Sequence, residues 1–228
     1  MDNYRNHIAI IGGGISGLAL GCILQEAKIP VAIFEQSSEV SNYGAGISLS
    51  PNGIKILKNL GIYQDILERS ANPKNAVHFS NNKQIKSFDV DVITTTRKTL
   101  YEVLLNKYIE LGGEILFNHK LRSIDINNSE LHFSNNITYK VKHIAACDGI
   151  KSICRNQILP KDNPVYSGYS VWRSIVDKKQ DNIETLLGPN YHIVTYPISS
   201  SKISFVAAVK TNKEYIESWK APGSLEEL

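Results

Sequence analysis

The run Gly12-Gly13-Gly14-Ile15-Ser16-Gly17 narrows the possible folds of this chain more than any other feature. It follows an apolar, β-branched stretch at residues 7–11 (HIAII), which reads as a buried parallel strand. Residues 15–27 read as a helix and residues 31–34 (VAIF) as a second strand. In this G-x-G-x-x-G pattern, Gly12, Gly14 and Gly17 allow a tight turn, close approach of a pyrophosphate and packing of helix on strand. Amides at the helix N-terminus, with Ser16 in the same turn, face the phosphates, and the helix dipole favours their charge. Glu35 closes the second strand, where a carboxylate can accept hydrogen bonds from a ribose. Glycine-rich turns also arise for purely structural reasons. It is the order of strand, turn, helix, strand and acid that points to the ADP half of a dinucleotide. That unit alone does not separate FAD from NAD.

The rest of the composition removes competing classes. The 228 residues are 42% hydrophobic and 21% charged, as in an ordinary globular protein with a real core. Net charge is +3 with no basic run, which gives no case for nucleic acid or a membrane surface. Cys22, Cys147 and Cys154 are odd in number and form no CxxC or Cys/His cluster, so neither a disulfide framework nor a metal site is expected. The opening residues lack the pattern of a signal peptide. No stretch approaches the ~20 apolar residues needed to span a bilayer. The expectation is a reduced, cytoplasmic protein.

Further along, residues 53–60 read as a helix that stops near Gly61. Strands at 77–79 and 84–88 flank a hairpin turn at Ser80-Asn81-Asn82-Lys83, since Asn tolerates positive φ. Leu100, Val103, Leu104, Tyr108 and Leu111 recur at helical spacing over 99–111, and Gly112-Gly113 stops that helix. A β-meander follows: LRSIDI, a turn at Asn127-Asn128, ELHF, a turn at Asn135-Asn136, then ITYKVKHIAAC as one strand, its HIAAC end buried. A short helix is expected near 152–157, after Asp148-Gly149. From Tyr169 the pattern is mostly strands (YSVWRSIV, YHIVTYPI, KISFVAAV), and residues 221–228 resemble the opening of a helix.

Four stretches bring a family into view. They are Gly44-Ala45-Gly46-Ile47-Ser48-Leu49-Ser50-Pro51-Asn52; Arg97 with Leu100 and Leu104; Ala146-Cys147-Asp148-Gly149-Ile150-Lys151-Ser152; and Tyr169 through Trp172-Arg173. With the glycine run, they resemble the single-component FAD-dependent aromatic hydroxylases, the salicylate, para-hydroxybenzoate and ubiquinone-pathway group. The resemblance implies an α/β fold: an FAD/NAD(P)-binding, Rossmann-like βαβ domain with a β-meander, and a partial, mostly β substrate domain. It implies an FAD-binding domain at 1–75 and 94–162, and a substrate domain, seemingly truncated, at 76–93 and 163–228.

It also implies roles. Gly12, Gly14, Ser16 and Gly17 would take the pyrophosphate and Glu35 the adenosine ribose. The Gly46-Ile47 backbone would lie near the flavin, and Arg97 would reach the pyrophosphate and ribityl region. Leu121 would offer main-chain groups to adenine, and Asp148-Gly149 would sit near the pyrophosphate and ribityl chain. Read from the residues alone, Arg97 lies just before a helix, where the dipole disfavours a cation unless an anion binds. It could equally be solvated or paired with an acid. Asp148-Gly149 could be a plain turn with Asp148 as a helix N-cap. The implied reaction uses NADH or NADPH and O2 to hydroxylate an aromatic or similar small molecule through a flavin hydroperoxide, in a pocket that excludes water. No residue can be named as catalytic.

One departure from the family pattern stands out. These enzymes carry a second flavin motif, a Gly-Asp leading into a helix, and no Gly-Asp dipeptide occurs in this sequence. The expectation is therefore an N-terminal fragment or truncated form, with a separate C-terminal polypeptide as one way to complete it. The alternatives are another flavin oxidoreductase of the same fold, or an inactive nucleotide-binding remnant.

Overall fold

The computed structural model describes residues 4–39, 45–159 and 165–211. In chain order, β1 (Ile8–Ile11), α1 (Ile15–Glu26) and β2 (Val31–Phe34) are followed by β3 (Gly46–Leu49), α2 (Pro51–Asn59) and α3 (Tyr63–Glu68). Next come the hairpin of β4 (Asn75–Ser80) and β5 (Lys83–Asp89), then β6 (Ile93–Thr96) and α4 (Arg97–Glu110). After them lie β7 (Glu114–Leu116), β8 (Leu121–Asp125), β9 (Glu130–Phe133), β10 (Thr138–Lys140), β11 (His143–Ala146) and α5 (Ile153–Ile158). The described chain ends with β12 (Tyr169–Asp177), β13 (Ile183–Leu187), β14 (Tyr191–Pro197) and β15 (Lys202–Lys210). The helical opening expected at 221–228 lies outside the described residues.

Two compact units result: Met1–Asn42 with Tyr101–Asn163, and Tyr43–Leu100 with Pro164–Leu228. The first is built on a parallel sheet in the order β11-β1-β2-β7. Alternation along β1 and β2 gives this sheet two covered faces. Ile10 and Ile33 point toward α1, against Gly17 and Gly21. Ala9, Ile11, Ala32 and Phe34 point the other way, into a core shared with Leu131 and Phe133 of the three-stranded sheet β10-β9-β8. Phe34 stacks on Phe133 with ring centroids 5.1 Å apart, and each ring buried this way contributes roughly 1.5–3 kcal/mol. Gly21 lets α1 close on α4, because a Cβ there would lie 2.8 Å from the Tyr108 ring. Tyr108 is fully buried, and its hydroxyl donates to the Glu114 carbonyl at 3.1 Å.

The run read as one strand, residues 137–147, is two. β10 pairs with β9, whereas β11 pairs with β1 in the other sheet. The chain changes sheets at Val141 and Lys142, whose amides donate to Ser129 O (3.0 Å) and His7 O (2.9 Å). As the outer strand of its sheet, β11 is half-exposed, with His143 and Ala146 open to solvent, where a buried strand was expected.

The second unit carries a six-stranded sheet, β12-β15-β14-β13-β4-β5, with β13 parallel to β4. Asn81 and Asn82, at φ 48° and 57°, make the expected tight hairpin between β4 and β5. A two-stranded ribbon pairs β3 with β6, Gly46 opposite Thr96 and Ile47 opposite Thr95. Gly46 packs directly on Ser204 and Tyr196, leaving no room for a Cβ. That contact ties the β3–β6 ribbon to β14 and β15.

Candidate nucleotide site

At the end of β1, the backbone turns at Gly12 with φ 102°, and the Gly12 amide donates to Phe34 O at 2.9 Å. A Cβ on Gly12 would overlap the Cys147 carbonyl, and one on Gly17 would overlap the Gly12 carbonyl. Both glycines are thus required by close backbone approach. Gly14 is the N-cap of α1. No side chain caps this helix, and its first turn, in which Ser16 is exposed, holds no acidic residue. The first-turn amides and the positive end of the dipole are left as donors for an anion.

Glu35 reaches this turn. Its Oε2 accepts from the Gly13 amide at 2.7 Å and its Oε1 from the Ser37 amide at 2.8 Å. Each oxygen keeps a second lone pair for a ribose hydroxyl. The Glu35 main chain accepts from the His119 amide at 2.8 Å, which brings in the loop leading to β8. There Leu121 is buried opposite Phe133, on the edge strand of the three-stranded sheet.

Asp148 follows β11. Its Oδ1 accepts from the Ser152 hydroxyl at 2.6 Å, and its Oδ2 accepts from the amides of Ile153 (2.8 Å) and Cys154 (3.0 Å). Burial by itself would raise the pKa of this carboxyl. The hydrogen bonds from Ser152 and from the Cys154 and neighbouring amides outweigh it and hold the group below the usual Asp range. Ser152, not Asp148, is the N-cap of α5. Gly149 takes φ 77° in the turn between them. Burial and the Asp148 charge push the nearby Cys154 thiol up to about 12, so it stays protonated and is no nucleophile at neutral pH.

The first unit therefore brings together Gly12, Gly14, Ser16, Gly17, Glu35, Leu121, Asp148 and Gly149. Gly46, Ile47 and Arg97 form a second group, in the other unit. Arg97 opens α4, two residues earlier than the sequence suggested, and its amide donates to Ala45 O at 3.0 Å. The Thr96 hydroxyl caps that helix by accepting from the Thr99 amide at 2.9 Å. Sequence reasoning missed Gly13 and Cys147, which act through an amide and a carbonyl. Main-chain roles of this kind leave no side-chain signal, although three glycines in a row hint at the first.

A glycine turn between parallel strands, an acid at the end of β2 and an open helix N-terminus define a dinucleotide-binding α/β protein of the Rossmann type. The chain belongs to the FAD binding domain family, which it matches over residues 5–220. Within that family it resembles the single-component aromatic hydroxylases. It is 28% identical to a 3-amino-4-hydroxybenzoate 2-monooxygenase of Streptomyces platensis, the match covering 97% of this chain and 61% of that protein. It is 26% identical to a salicylate hydroxylase of Pseudomonas putida, over 94% of this chain and 57% of that one. The fold matches the tetrameric form of 2-methyl-3-hydroxypyridine-5-carboxylic acid oxygenase with a TM-score of 0.82 at 24% identity, covering 91% of this chain and 59% of that chain. This chain spans about three fifths of the length of these proteins.

Proposed function

We propose that the protein binds FAD at the glycine turn of the first unit. We further propose that it serves in the NADH- or NADPH-dependent oxygenation, by O2, of an aromatic or similar small molecule. The observation that carries the reading is the Glu35 carboxylate bonded to the Gly13 amide, beside a helix N-terminus that no side chain fills. In this reading the first-turn amides of α1, with Gly14 and Ser16, hold the pyrophosphate, while Gly12 and Gly17 keep its approach clear. Glu35 accepts from the adenosine ribose, and the main chain at Leu121 borders adenine. Gly46, Ile47 and Arg97 are proposed contacts on the second unit, and Asp148-Gly149 on the first. Bound FAD would supply the redox and oxygen chemistry that side chains lack. The protein's part is to orient the cofactor and exclude water.

The aromatic substrate class is supported by the relatives that act on 3-amino-4-hydroxybenzoate and salicylate. Because the chain spans about three fifths of their length, oxygenation is proposed for the whole protein. A cytoplasmic location belongs to the same reading; it is supported by three free cysteines, of which Cys22 and Cys154 are buried. Among the described residues no helix is long and apolar enough to cross a membrane.

The test is to load the protein with FAD, desalt it, and supply NADH or NADPH in air with salicylate or 3-amino-4-hydroxybenzoate as probe. Nicotinamide oxidation stimulated by the aromatic acid, with a product heavier by one oxygen atom, is expected. Nicotinamide oxidation with no oxygenated product across a set of aromatic acids would point instead to another flavin oxidoreductase of this fold.

A further inference from the structure

Ser152 has no part in the roles above, yet its hydroxyl uses both of its hydrogen-bonding capacities. It donates to Asp148 Oδ1 at 2.6 Å and accepts from the Arg155 amide at 2.9 Å. The side chain is buried, with 5% exposed. We propose that Ser152 is a positioning residue for the glycine turn. Through Asp148 it holds the Cys147 carbonyl against Gly12 and so keeps the turn in the form that receives a pyrophosphate. This rests on the FAD-binding reading.

The link runs through few atoms. All three of the hydrogen bonds that Asp148 accepts here come from residues 152–154, so its charge is directed inward to the start of α5. The loop between is short and doubly fastened, because Arg155 Nη2 also donates to Ile150 O at 2.7 Å. On its other side the Cys147 amide donates to Ile11 O at 2.9 Å, extending the pairing of β11 with β1. The next residue along β1 is Gly12. A Cβ there would overlap the Cys147 carbonyl oxygen and lie 2.9 Å from its carbon and 3.2 Å from Asp148 Cα. Rotation of the peptide between Cys147 and Asp148 would drive that carbonyl into the turn. A plain N-cap need only accept from the amide of its helix. Ser152 also donates, to the carboxylate of Asp148, whose Cα would lie 3.2 Å from a Cβ on Gly12.

The experiment compares Ser152→Ala and Ser152→Thr with the wild-type chain by FAD titration and by amide hydrogen exchange of the protein without FAD. Ser152→Ala is expected to weaken FAD binding about tenfold, the loss of one charge-assisted hydrogen bond. It should also speed exchange over residues 11–17 while leaving β15 unchanged. Ser152→Thr, which keeps the hydroxyl, should restore both. Unchanged exchange at 11–17 in Ser152→Ala would overturn the proposal. So would an acceleration spread equally over β15, which would mark a general loss of stability. A wild-type chain that takes up no FAD would instead sink the FAD-binding reading, and the exchange comparison would still decide the role of Ser152.

Discussion

The Glu35 carboxylate binds the Gly13 amide at 2.7 Å, fastening the end of β2 to the turn that leaves β1. With the Ser37 amide on its other oxygen at 2.8 Å, Glu35 organises the turn before any ribose is present. Hydrogen bonds to a charged acceptor contribute more than neutral ones, and partial exposure reduces that gain. Glu35→Ala should therefore cost about 1–2 kcal/mol of stability in urea unfolding. It should also weaken FAD binding by more than that stability loss explains, since the ribose acceptor goes with it. Binding that survives the substitution unchanged would remove Glu35 from the site.

Gly12→Ala faces two penalties together: a backbone at φ 102° and a Cβ driven into the Cys147 carbonyl. Strain of this kind costs on the order of 1–3 kcal/mol before any clash is added. Chemical denaturation should show a loss of at least that size, and the folded fraction should not hold FAD.

Ser204→Ala is expected to do the opposite. Ser204 is fully buried, and its hydroxyl has no hydrogen-bond partner among the described residues. Removing a buried, unsatisfied hydroxyl of this kind should stabilise the chain by about 1 kcal/mol. That would raise Tm by roughly 2–4 °C in a thermal melt. A fall in Tm would mean that the hydroxyl has a partner.

Asp148 gives the molecule an acid-sensitive point. Its carboxyl is held below the ordinary range in the folded chain, so the unfolded chain binds the proton more tightly. The stability it contributes is complete above the unfolded value, about pH 4. It is lost as pH falls through the lower folded value. In urea unfolding followed against pH, the gap between wild type and Asp148→Asn should narrow below about pH 4. A constant gap would show that the ionised form of Asp148 is not what α5 and Ser152 stabilise.

Thiol reactivity should follow burial. Cys22 and Cys154 are fully buried, with their thiols pushed up to about 11 and about 12. Cys147 is only half-buried. An aromatic disulfide reagent at pH 8 should titrate no more than Cys147 in the native protein, and all three in denaturant. Rapid modification of Cys154 would mean that α5 opens easily.

Much of this site was legible because its signals are local. A β-branched strand, three glycines and an acid at the end of the next strand are written in consecutive residues. The Asn81-Asn82 hairpin was legible for the same reason. The break between β10 and β11 was not, since no glycine or proline marks it. It is made by the Val141 and Lys142 amides bonding to Ser129, in the turn between β8 and β9, and to His7, just before β1. β13 escaped because its parallel partner β4 lies more than a hundred residues earlier, Ile183 pairing with Ala76. The ribbon of β3 and β6 escaped because its strands are four residues each and support one another only across the turn of the fold. The orientation of Asp148 toward α5 could not be read from a dipeptide that fits a turn, a cap or a ligand contact equally well.

FAD titration of the wild-type chain and of Glu35→Ala, followed by visible absorption before and after desalting, decides whether the glycine turn is an FAD site. In the wild type, flavin bands should saturate at one FAD per chain and persist through desalting. The variant should bind FAD at least about tenfold more weakly. A colourless wild-type protein, or equal affinity in the two, would contradict that assignment.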